Sequence, residues 1–507
     1  MPPTTQTPVP DPLDILVIAD PHFTHAASPA FAKAGRHTQL GQLLLRKALW
    51  RLQHLGIKPD LIVLLGDLVD NANAPGGQED LQALAVEAHK AGIRILAVPG
   101  NHDGDPAAYA RTIGCAPGMH RIGDYVFLVF HDLCQGGNVY YRPADQLDLP
   151  ARAAAAFPGL PIIALQHHPH DPVVPKSYPY HLTNRVAIMD TYRDAGVCLS
   201  LSGHYHPGQP AHVVDSVTYA TAPSLCETPF RFQHVHLAGR SVRVEEHALH
   251  LGVAGISDNH CHTELAYCST TANLADGIRL SQALGVENIC FTEHSFQLYF
   301  DKELAWSFRW QSDPAFQHAV WATPERGRMA AYRRMAEGFR SKHVRAGLEV
   351  ELCGDGSLLL APEDADGWDL LVGSVHEIPG VEKGVTPQAQ AEELFVRDVK
   401  RLLAHPIDVL THPFRFFARK SLHKPVHLYP VIADLLAAHG VAAEINFHTN
   451  QPEPEFFRHC LERGVKISLA SDSHELSEFG EFAPHLRVLQ AAGANVRNLS
   501  PILAHPR

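Results

Sequence analysis

Three features that would mark well-defined classes of protein are absent from the sequence. The nine cysteines are scattered and include no CxxC pair, so they favour a reducing compartment over a disulfide framework. No stretch reaches about 18 consecutive apolar residues, and the first twelve residues have neither a basic start nor an apolar core. We therefore expect a cytoplasmic protein with no transmembrane helix, no signal peptide and no membrane partner.

Basic residues are also fewer than acidic residues. Lys and Arg number 42 against 54 Asp and Glu, which gives a formal net charge of −12. A protein that binds nucleic acid through a broad basic face needs the opposite balance, so nucleic acid is not the expected partner. The 45% hydrophobic and 19% charged residues are ordinary for a globular chain. A length of 507 residues exceeds what one hydrophobic core usually organises, so we expect two domains.

Histidine is the residue present in unusual number, 35 in all. Short β-branched and leucine-rich runs alternate with longer amphipathic stretches, a pattern typical of α/β proteins. Residues 211–247 instead alternate apolar and polar positions around glycine-containing turns, as antiparallel strands do. A new series of strands and helices begins after the small-residue segment near 248–257. We therefore predict two α/β domains, at residues 13–247 and 256–507.

In the first domain, strand-like runs end at side chains of the types that commonly bind metal ions. The carboxyl ends of strands in an open α/β sheet converge on one edge, where ligands bind. An unpaired buried carboxylate is costly, so a cation is the expected partner of Asp67 at the end of LIVLLGD. Two cations about 3.5–4 Å apart that share a carboxylate form a phosphoester hydrolysis site, and Asp67 would be the shared group. Five runs end in this way, at Asp20 and His22, at Asp67, at Asn101, His102 and Asp103, at His167 and His168, and at His204 and His206.

The motifs DxH, GDxxD, GNHD, HH and GHxH occur in this order and resemble those of the calcineurin-like metallophosphoesterases. The resemblance implies an α/β sandwich with two divalent metals, Mn, Fe or Zn. It also implies that His102 donates a proton to the leaving group, that Asp103 orients His102, and that Asp70 lies behind the ligands. Whether His167 or His168 is the ligand stays open. The implied ligand sets are Asp20, His22, Asp67 and His206 for one metal, and Asp67, Asn101, His167 and His204 for the other.

Seven strand-like runs of the second domain end in the same kinds of side chain, with mostly helical stretches between them. A closed parallel barrel brings the carboxyl ends of all its strands to one face, where active sites lie. Seven runs favour such a barrel over an open sheet. The runs end at His260 and His262, at Glu293 and His294, at Glu349 and Glu351, at His376, at His412, at Glu444 and Asn446, and at Asp472 and His474.

The motifs HxH, TEH, GxE, SVHE, THP and DxH resemble, in this order, those of the polymerase and histidinol phosphatase (PHP) family. The resemblance implies a distorted seven-stranded (β/α) barrel that holds two or three metals, Zn, Fe or Mn. Glu349 would bridge the first two metals. The implied ligands are His260, His262, Glu349 and Asp472 for the first metal, Glu349, His376 and His412 for the second, and His294 and His474 for the third.

Two positions depart from the pattern of this family. Cys268 stands where the family usually has His or Asp, six residues after the second His of the HxH motif. A thiolate can bind zinc or iron, whereas a buried cysteine is commonly part of the apolar packing, and both interpretations stay open. Glu293 stands where the family commonly has Asp, so the occupancy of the third site is open as well.

Two other features concern the substrate. Arg415 follows a metal-bearing strand end, where its guanidinium would clamp a phosphate; the alternative is a surface salt bridge. Residues 295–345 are aromatic and basic, and they would form a lid over the barrel mouth, a packed pair of helices or the surface between the two domains.

Together the motifs predict a bifunctional metal-dependent phosphoesterase that hydrolyses a small phosphorylated metabolite with a metal-bridging hydroxide. The first domain would open a diester, and the second would remove the resulting monoester. Two alternatives stay open. One is a nuclease, because both families include enzymes that act on nucleic acid, and the other is a phosphatase in which one domain only senses a phosphorylated ligand.

Overall fold

The computed structural model describes residues 10–26, 35–137, 139–169 and 182–506. The chain divides into two compact units, Met1–His250 and Leu251–Arg507, called unit 1 and unit 2 below. Among the described residues, no helix combines the length and the apolar character needed to cross a membrane.

The described residues of unit 1 form strands and helices in alternation, with several consecutive strands at the end. The strands are β1 (Leu13–Ile18), β2 (Leu61–Leu64), β3 (Arg94–Ala97), β4 (Gly118–Ile122), β5 (Tyr125–Val129), β6 (Leu133–Gly136), β7 (Val139–Tyr141), β8 (Ile162–Leu165), β9 (Val197–Ser202), β10 (Gln209–Val214), β11 (Val217–Thr221), β12 (Arg231–Ala238) and β13 (Ser241–Ala248). The helices are α1 (Gly41–His54), α2 (Gly77–His89), α3 (Pro106–Ile113), α4 (Ala144–Leu147), α5 (Leu149–Ala156) and α6 (Arg185–Ala195).

Two mixed sheets carry the core of the described part of unit 1. One has the strand order β13-β12-β1-β2-β3, in which β1, β2 and β3 are parallel and β12 is antiparallel to both of its neighbours. The other has the order β10-β11-β9-β8-β5-β4, with its four inner strands parallel. All four residues of β2 are buried, as expected for a parallel strand covered on both faces. The carboxyl ends of β1, β2, β3, β8 and β9 carry the predicted metal ligands.

Unit 2 alternates parallel strands with helices. Its strands are β14 (Ser257–Cys261), β15 (Asn288–His294), β16 (Val344–Val350), β17 (Leu370–Gly373), β18 (Val409–Leu410), β19 (Ala442–Asn446) and β20 (Ile467–Ala470). Its α-helices, within the described residues, are α7 (Leu274–Ala283), α8 (Ser295–Tyr299), α9 (Lys302–Ser307), α10 (Pro314–Trp321), α11 (Met329–Phe339), α12 (Gln388–Leu403), α13 (Arg415–Arg419), α14 (Tyr429–His439), α15 (Pro454–Glu462) and α16 (Ala483–Ala491).

The strands of unit 2 form one parallel sheet in chain order from β14 to β20. The sheet curls so that its first and last strands meet: the amide of Asp472 donates to the carbonyl of His260 at 2.7 Å, and the amide of His262 donates to the carbonyl of Ser473 at 3.3 Å. The predicted α/β class and the distorted seven-stranded barrel are therefore confirmed.

Residues 295–345 contain the four helices α8 to α11. Phe296, Leu298, Trp310 and Met329 are buried in the main apolar cluster of unit 2. Of the predicted arrangements, the structure has packed helices, because these apolar side chains are part of the core of unit 2.

Candidate metal centres

Several predicted ligands lie on unusual backbone directly after their strands. Non-glycine residues with positive φ are uncommon, and they cluster at functional sites. In both units, the sharp turns that they make after the strand ends direct polar side chains to one edge. Six predicted ligands have φ angles between 28° and 64°: Asp20, His22, Asp67, His204, His412 and Asp472.

Asp67 lies in the middle of the strand ends of unit 1. Its Oδ2 is 3.3 Å from Nε2 of His167, 3.7 Å from Nε2 of His22 and 4.0 Å from Nε2 of His102. Burial raises the pKa of the Asp67 carboxyl, but the nearby imidazoles of His167, His22 and His102 together outweigh burial and hold that pKa well below its usual value. The carboxylate is therefore ionised at neutral pH and shared among three imidazoles.

The glycines of the GD and GN motifs are needed because backbone and ligands approach closely here. Gly66 has a φ of 89°, and a Cβ at this position would lie 2.6 Å from Nδ1 of His167. A Cβ at Gly100 would lie 2.2 Å from Oδ1 of Asp67. Any other residue at either position would displace a predicted ligand.

Asp20, His22 and His206 form one group of donors beside Asp67. Nε2 of His206 is 3.6 Å from Oδ1 of Asp20 and 3.2 Å from Nε2 of His22. Oδ1 of Asp20 is buried and has no hydrogen-bond partner among the described residues. Because carboxylate and imidazole donors suit Mn, Fe and Zn, this group fits a divalent metal.

His167, Asn101 and His204 form the other group. Nε2 of His167 lies 3.2 Å from Oδ1 of Asn101 and 3.0 Å from Nδ1 of His204. The other ring nitrogen of His167, Nδ1, donates to the carbonyl of Leu65 at 2.7 Å, which leaves Nε2 facing this group. The two groups and Asp67 together are called the first centre below.

The structure distinguishes the adjacent histidines of the HH motif. The ring of His168 packs against Tyr140, with 4.0 Å between the ring centroids, and its Nδ1 is 3.9 Å from Oδ2 of Asp132. Of the two histidines, His167 has the ion-pair contact with Asp67. The geometry favours His167 as the ligand.

Asp103 does not have the contacts predicted for it. Its carboxylate accepts hydrogen bonds from the amides of Leu68 and Gly100, each at 2.8 Å, and so ties two loops of the first centre together. The ring of His102 is held instead by the carbonyl of Asp70, which accepts from Nδ1. Consecutive side chains point in different directions, so the adjacency of Asp103 and His102 in the sequence does not bring their side chains into contact. The His102 side chain is 34% exposed, so its ring lies at the mouth of the centre.

In unit 2, Glu349 lies among the strand ends as Asp67 does in unit 1. Its Oε1 is 3.1 Å from Nε2 of His412 and 3.5 Å from Nε2 of His376. Its Oε2 is 3.3 Å from Nε2 of His260 and contacts Nδ1 of His294. Burial raises the pKa of the Glu349 carboxyl, but the surrounding imidazoles, His294 first among them, hold it well below the usual value.

Asp472 joins further predicted ligands to this cluster. Its Oδ1 is 3.1 Å from Nε2 of His262, 3.6 Å from Nε2 of His260 and 3.7 Å from Nδ1 of His474. Single nitrogen atoms of His262, His294 and His474 lie within 4.8 Å of one another, so these rings fit around one further cation. The residues around Glu349 and Asp472 are called the second centre below.

Cys268 lies beside the predicted third metal site. Its Sγ is 3.5 Å from Nε2 of His294, and it accepts a hydrogen bond from Nε2 of Gln297 at 3.3 Å. Burial raises the pKa of the Cys268 thiol to about 12. A cation beside the sulfur would be needed to stabilise the thiolate at neutral pH, so ligation by Cys268 stays a prediction.

Carboxylates behind the second centre orient its imidazoles. Oε2 of Glu444 is 2.9 Å from Nδ1 of His260, and Oε1 of Glu351 is 2.7 Å from Nδ1 of His376. The Glu444 carboxylate accepts from Nδ1 of His260, and Nδ1 of His376 donates to Glu351 because its Nε2 accepts from Arg415, so both imidazoles present a lone pair on Nε2. The sequence marked both glutamates as strand ends but assigned them no role.

Two other glutamates lie behind ligand imidazoles, and Glu227 is within hydrogen-bond distance of its imidazole. Glu293 accepts from the amide and the hydroxyl of Thr263, both at 2.6 Å, and its Oε2 is 3.4 Å from Nδ1 of His262. In unit 1, Oε1 of Glu227 is 2.6 Å from Nδ1 of His206. Glu227 could not be predicted from the sequence, because this residue follows no strand end and meets His206 only through the fold.

Arg415 is buried inside the second centre, which excludes the surface salt bridge. Its guanidinium donates to Oδ2 of Asp472 at 2.8 Å and lies 2.8 Å from Nε2 of His376. Burial lowers the pKa of the His412 imidazole, and the charge of Arg415 lowers it further, to about 4. His412 is therefore neutral at physiological pH, as a metal ligand must be.

Comparisons with known proteins find two family matches along the chain. Residues 13–208 match the family model described as calcineurin-like phosphoesterase, and residues 258–448 match the PHP domain. Both families use divalent metals. A cAMP/cGMP dual specificity phosphodiesterase of Mycobacterium tuberculosis is 27% identical over 222 residues, which are 42% of this chain and 68% of the relative.

Two solved structures illustrate the likeness. A dimetal phosphatase from Danio rerio is 15% identical, with 47% of this chain and 99% of the other covered and a TM-score of 0.39. A histidinol phosphate phosphatase from Lactococcus lactis, complexed with zinc, L-histidinol and phosphate, is 20% identical, with 47% and 94% covered and a TM-score of 0.33. By its two family matches, the chain carries a calcineurin-like phosphoesterase domain and a PHP domain, and it is a metal-dependent phosphoric ester hydrolase.

Proposed function

We propose that the first centre hydrolyses a phosphodiester and the second centre a phosphomonoester, in sequence, on one small phosphorylated metabolite. The observation that carries the proposal is the arrangement repeated in both units. A buried, ionised carboxylate, Asp67 or Glu349, lies among imidazoles that come from several strand ends. Such a carboxylate is suited to share two divalent metals, two in unit 1 and two or three in unit 2.

Bound metals would supply Lewis acidity at the phosphoryl oxygens and activate water. The protein's own residues have separate tasks. His102 lies at the mouth of the first centre, and its imidazolium form, with Nδ1 donating to the carbonyl of Asp70, would give the Nε2 proton to the departing alkoxide. Arg415 lies among the ligands of the second centre, and its planar guanidinium suits a phosphate group.

The substrate assignment has two further supports. The relative from M. tuberculosis is described as a cyclic nucleotide phosphodiesterase, so cyclic diesters belong among the first substrates to test. The net charge of −12 favours a small molecule over a nucleic acid. We assign the first reaction to residues 13–247 and the second to residues 256–507.

The test is a screen of phosphate monoesters and diesters, cyclic ones included, with the full-length protein reconstituted with Mn, Fe or Zn. The screen is repeated with Asp67→Asn, with His260→Ala and with two surface controls, Asp124→Asn and His439→Ala, whose residues are exposed. We expect Asp67→Asn to lose diesterase turnover alone and His260→Ala to lose monoesterase turnover alone. Loss of both activities in either variant, or of neither, would contradict two separate centres.

A further inference from the structure

A third cluster of imidazole and carboxylate side chains lies outside both centres, at the outer edge of the five-stranded sheet of unit 1. It consists of His234 on β12 and of Glu245 and His247 on β13, and it is called the edge cluster below. His234 pairs directly with Glu245 across the two strands, and Phe232 pairs with His247. Because paired residues share a face and alternate residues along a strand do so too, all three side chains point the same way.

The donor atoms of the edge cluster are close together. One ligand atom from each of His234, Glu245 and His247 lies within 4.8 Å of the other two. The ring of His247 stacks on Phe232 with 5.4 Å between centroids, which fixes its orientation on this face. The cluster is separate from the first centre, whose ligands follow the carboxyl ends of the parallel strands.

Two imidazole nitrogens of the edge cluster have no partner. Nδ1 of His234 and Nε2 of His247 are both buried, and neither has a hydrogen-bond partner among the residues that the structure describes. His234 as a whole is only 1% exposed. Buried polar atoms are nearly always satisfied, so two such nitrogens on one face indicate a ligand.

The spacing of the donors fits a metal better than a direct hydrogen bond. Oε2 of Glu245 is 3.7 Å from Nδ1 of His234, which is too long for a hydrogen bond. Two ligands of one tetrahedral zinc, each bonded at about 2.0–2.1 Å, lie roughly 3.4 Å apart. The Glu245 side chain is 41% exposed, so one side of the cluster is open to water as a further ligand.

Asp14 on β1 prepares His234 for such a role. Its Oδ1 is 2.7 Å from Nε2 of His234 and 2.9 Å from Nδ1 of His236. The carboxylate accepts from Nε2, so His234 is the tautomer whose Nδ1 carries a lone pair directed at the edge cluster. Carboxylates placed behind metal-bound imidazoles commonly orient them in this way.

We propose that His234 Nδ1, His247 Nε2 and a Glu245 carboxylate oxygen bind one divalent metal of the zinc class, with water completing the coordination. Two imidazoles and one carboxylate are a ligand set that zinc accepts readily. Bound there, the metal joins β12 to β13, the hairpin that ends unit 1. A rival metal position lies on the other side of the His234 imidazole, among Asp14, His234 and His236. The short distances from Asp14 to these two imidazoles are, however, those of ordinary hydrogen bonds.

The experiment measures zinc equivalents per chain by elemental analysis of the full-length protein after loading and dialysis. It compares the unchanged chain with His247→Gln, Glu245→Gln and His236→Gln. We expect His247→Gln and Glu245→Gln each to lose about one equivalent, with phosphoester hydrolysis retained, and His236→Gln to lose none. Glu245 is partly exposed, so its substitution tests the site even if His247→Gln does not fold.

Two results would overturn the proposal. Equal zinc content in the unchanged chain and in Glu245→Gln would show that the edge cluster does not bind zinc. Loss of the equivalent in His236→Gln, with Glu245→Gln unaffected, would place the cation at Asp14. Cobalt substitution gives an independent readout, because the absorption of tetrahedral Co²⁺ should decrease in His247→Gln and not in His236→Gln.

Discussion

Replacement of Glu444 by glutamine tests how the second centre is oriented. Oε1 of Glu444 accepts from the amide of His412 at 3.0 Å and from Nδ2 of Asn446 at 2.9 Å. The glutamine carbonyl can keep both of these hydrogen bonds. The new amide nitrogen then takes the place of Oε2, which is 2.9 Å from Nδ1 of His260.

The consequence for His260 follows from hydrogen-bond chemistry. An amide N–H must face a lone pair, so Glu444→Gln moves the proton of His260 from Nδ1 to Nε2. Nε2 lies 3.3 Å from Oε2 of Glu349, on the side where the metal would bind. Loss of such an orienting carboxylate typically costs tenfold to hundredfold in metal affinity or activity, which equals about 1.4–2.7 kcal/mol.

The assay is zinc affinity by competition with a chelator, together with turnover of a phosphomonoester by the full-length protein. We expect both to fall by roughly tenfold to hundredfold, while hydrolysis of a diester at the first centre is retained. Glu455→Gln is the matched control, because Glu455 is 57% exposed on α15. If Glu444→Gln and the control have equal affinity and turnover, the proposed orientation of His260 is wrong.

Three further predictions address single residues. Asp67→Asn should lower metal content and reduce diester turnover by at least roughly a hundredfold, because an uncharged amide shares two metals poorly; full turnover with two metals still bound at the first centre would refute the bridging role. Cys268→Ser should remove up to about one metal equivalent from the full-length protein if Cys268 is a ligand, and an unchanged metal content would assign Cys268 to packing. Asp364 accepts two hydrogen bonds from Arg326, at 2.6 and 2.7 Å, and one from Arg333 at 3.0 Å. Asp364→Asn should therefore lower the free energy of unfolding by about 2 kcal/mol in urea titration. Burial raises the pKa of Asp364, but Arg326 and its other partners outweigh burial and lower it. The difference in unfolding free energy between the unchanged chain and Asp364→Asn should therefore be full above the unfolded pKa of about 3.9 and shrink as the pH falls below that value. A difference that grows in acid would contradict this.

The strand ends could be predicted from the sequence because each follows a short apolar run. Parallel strands bring such ends together whatever the intervening loops do, so Asp67 and Glu349 were expected among imidazoles, and the structure has them there. The seven runs of the second half also predicted the barrel, because a closed parallel barrel brings the carboxyl ends of all its strands to one face.

Contacts that depend on the three-dimensional path of the chain could not be predicted. Glu227 reaches His206 from a loop with no motif, and Asp103 turns to backbone amides and not to the adjacent His102. The edge cluster was missed for a related reason. In the sequence, His234 and His247 are alternating positions of two ordinary antiparallel strands, and only the register places them together.

Complementation between two inactivated proteins tests the sequential reaction most directly. The His260→Ala protein is incubated with each diester that the unchanged chain converts to inorganic phosphate, and the products are then given to the Asp67→Asn protein. The account predicts that the first protein accumulates a phosphomonoester without releasing phosphate, and that the second releases phosphate from that monoester. If every monoester produced by the first centre resists the second, while the second hydrolyses an unrelated monoester, the chain contains two independent phosphoesterases.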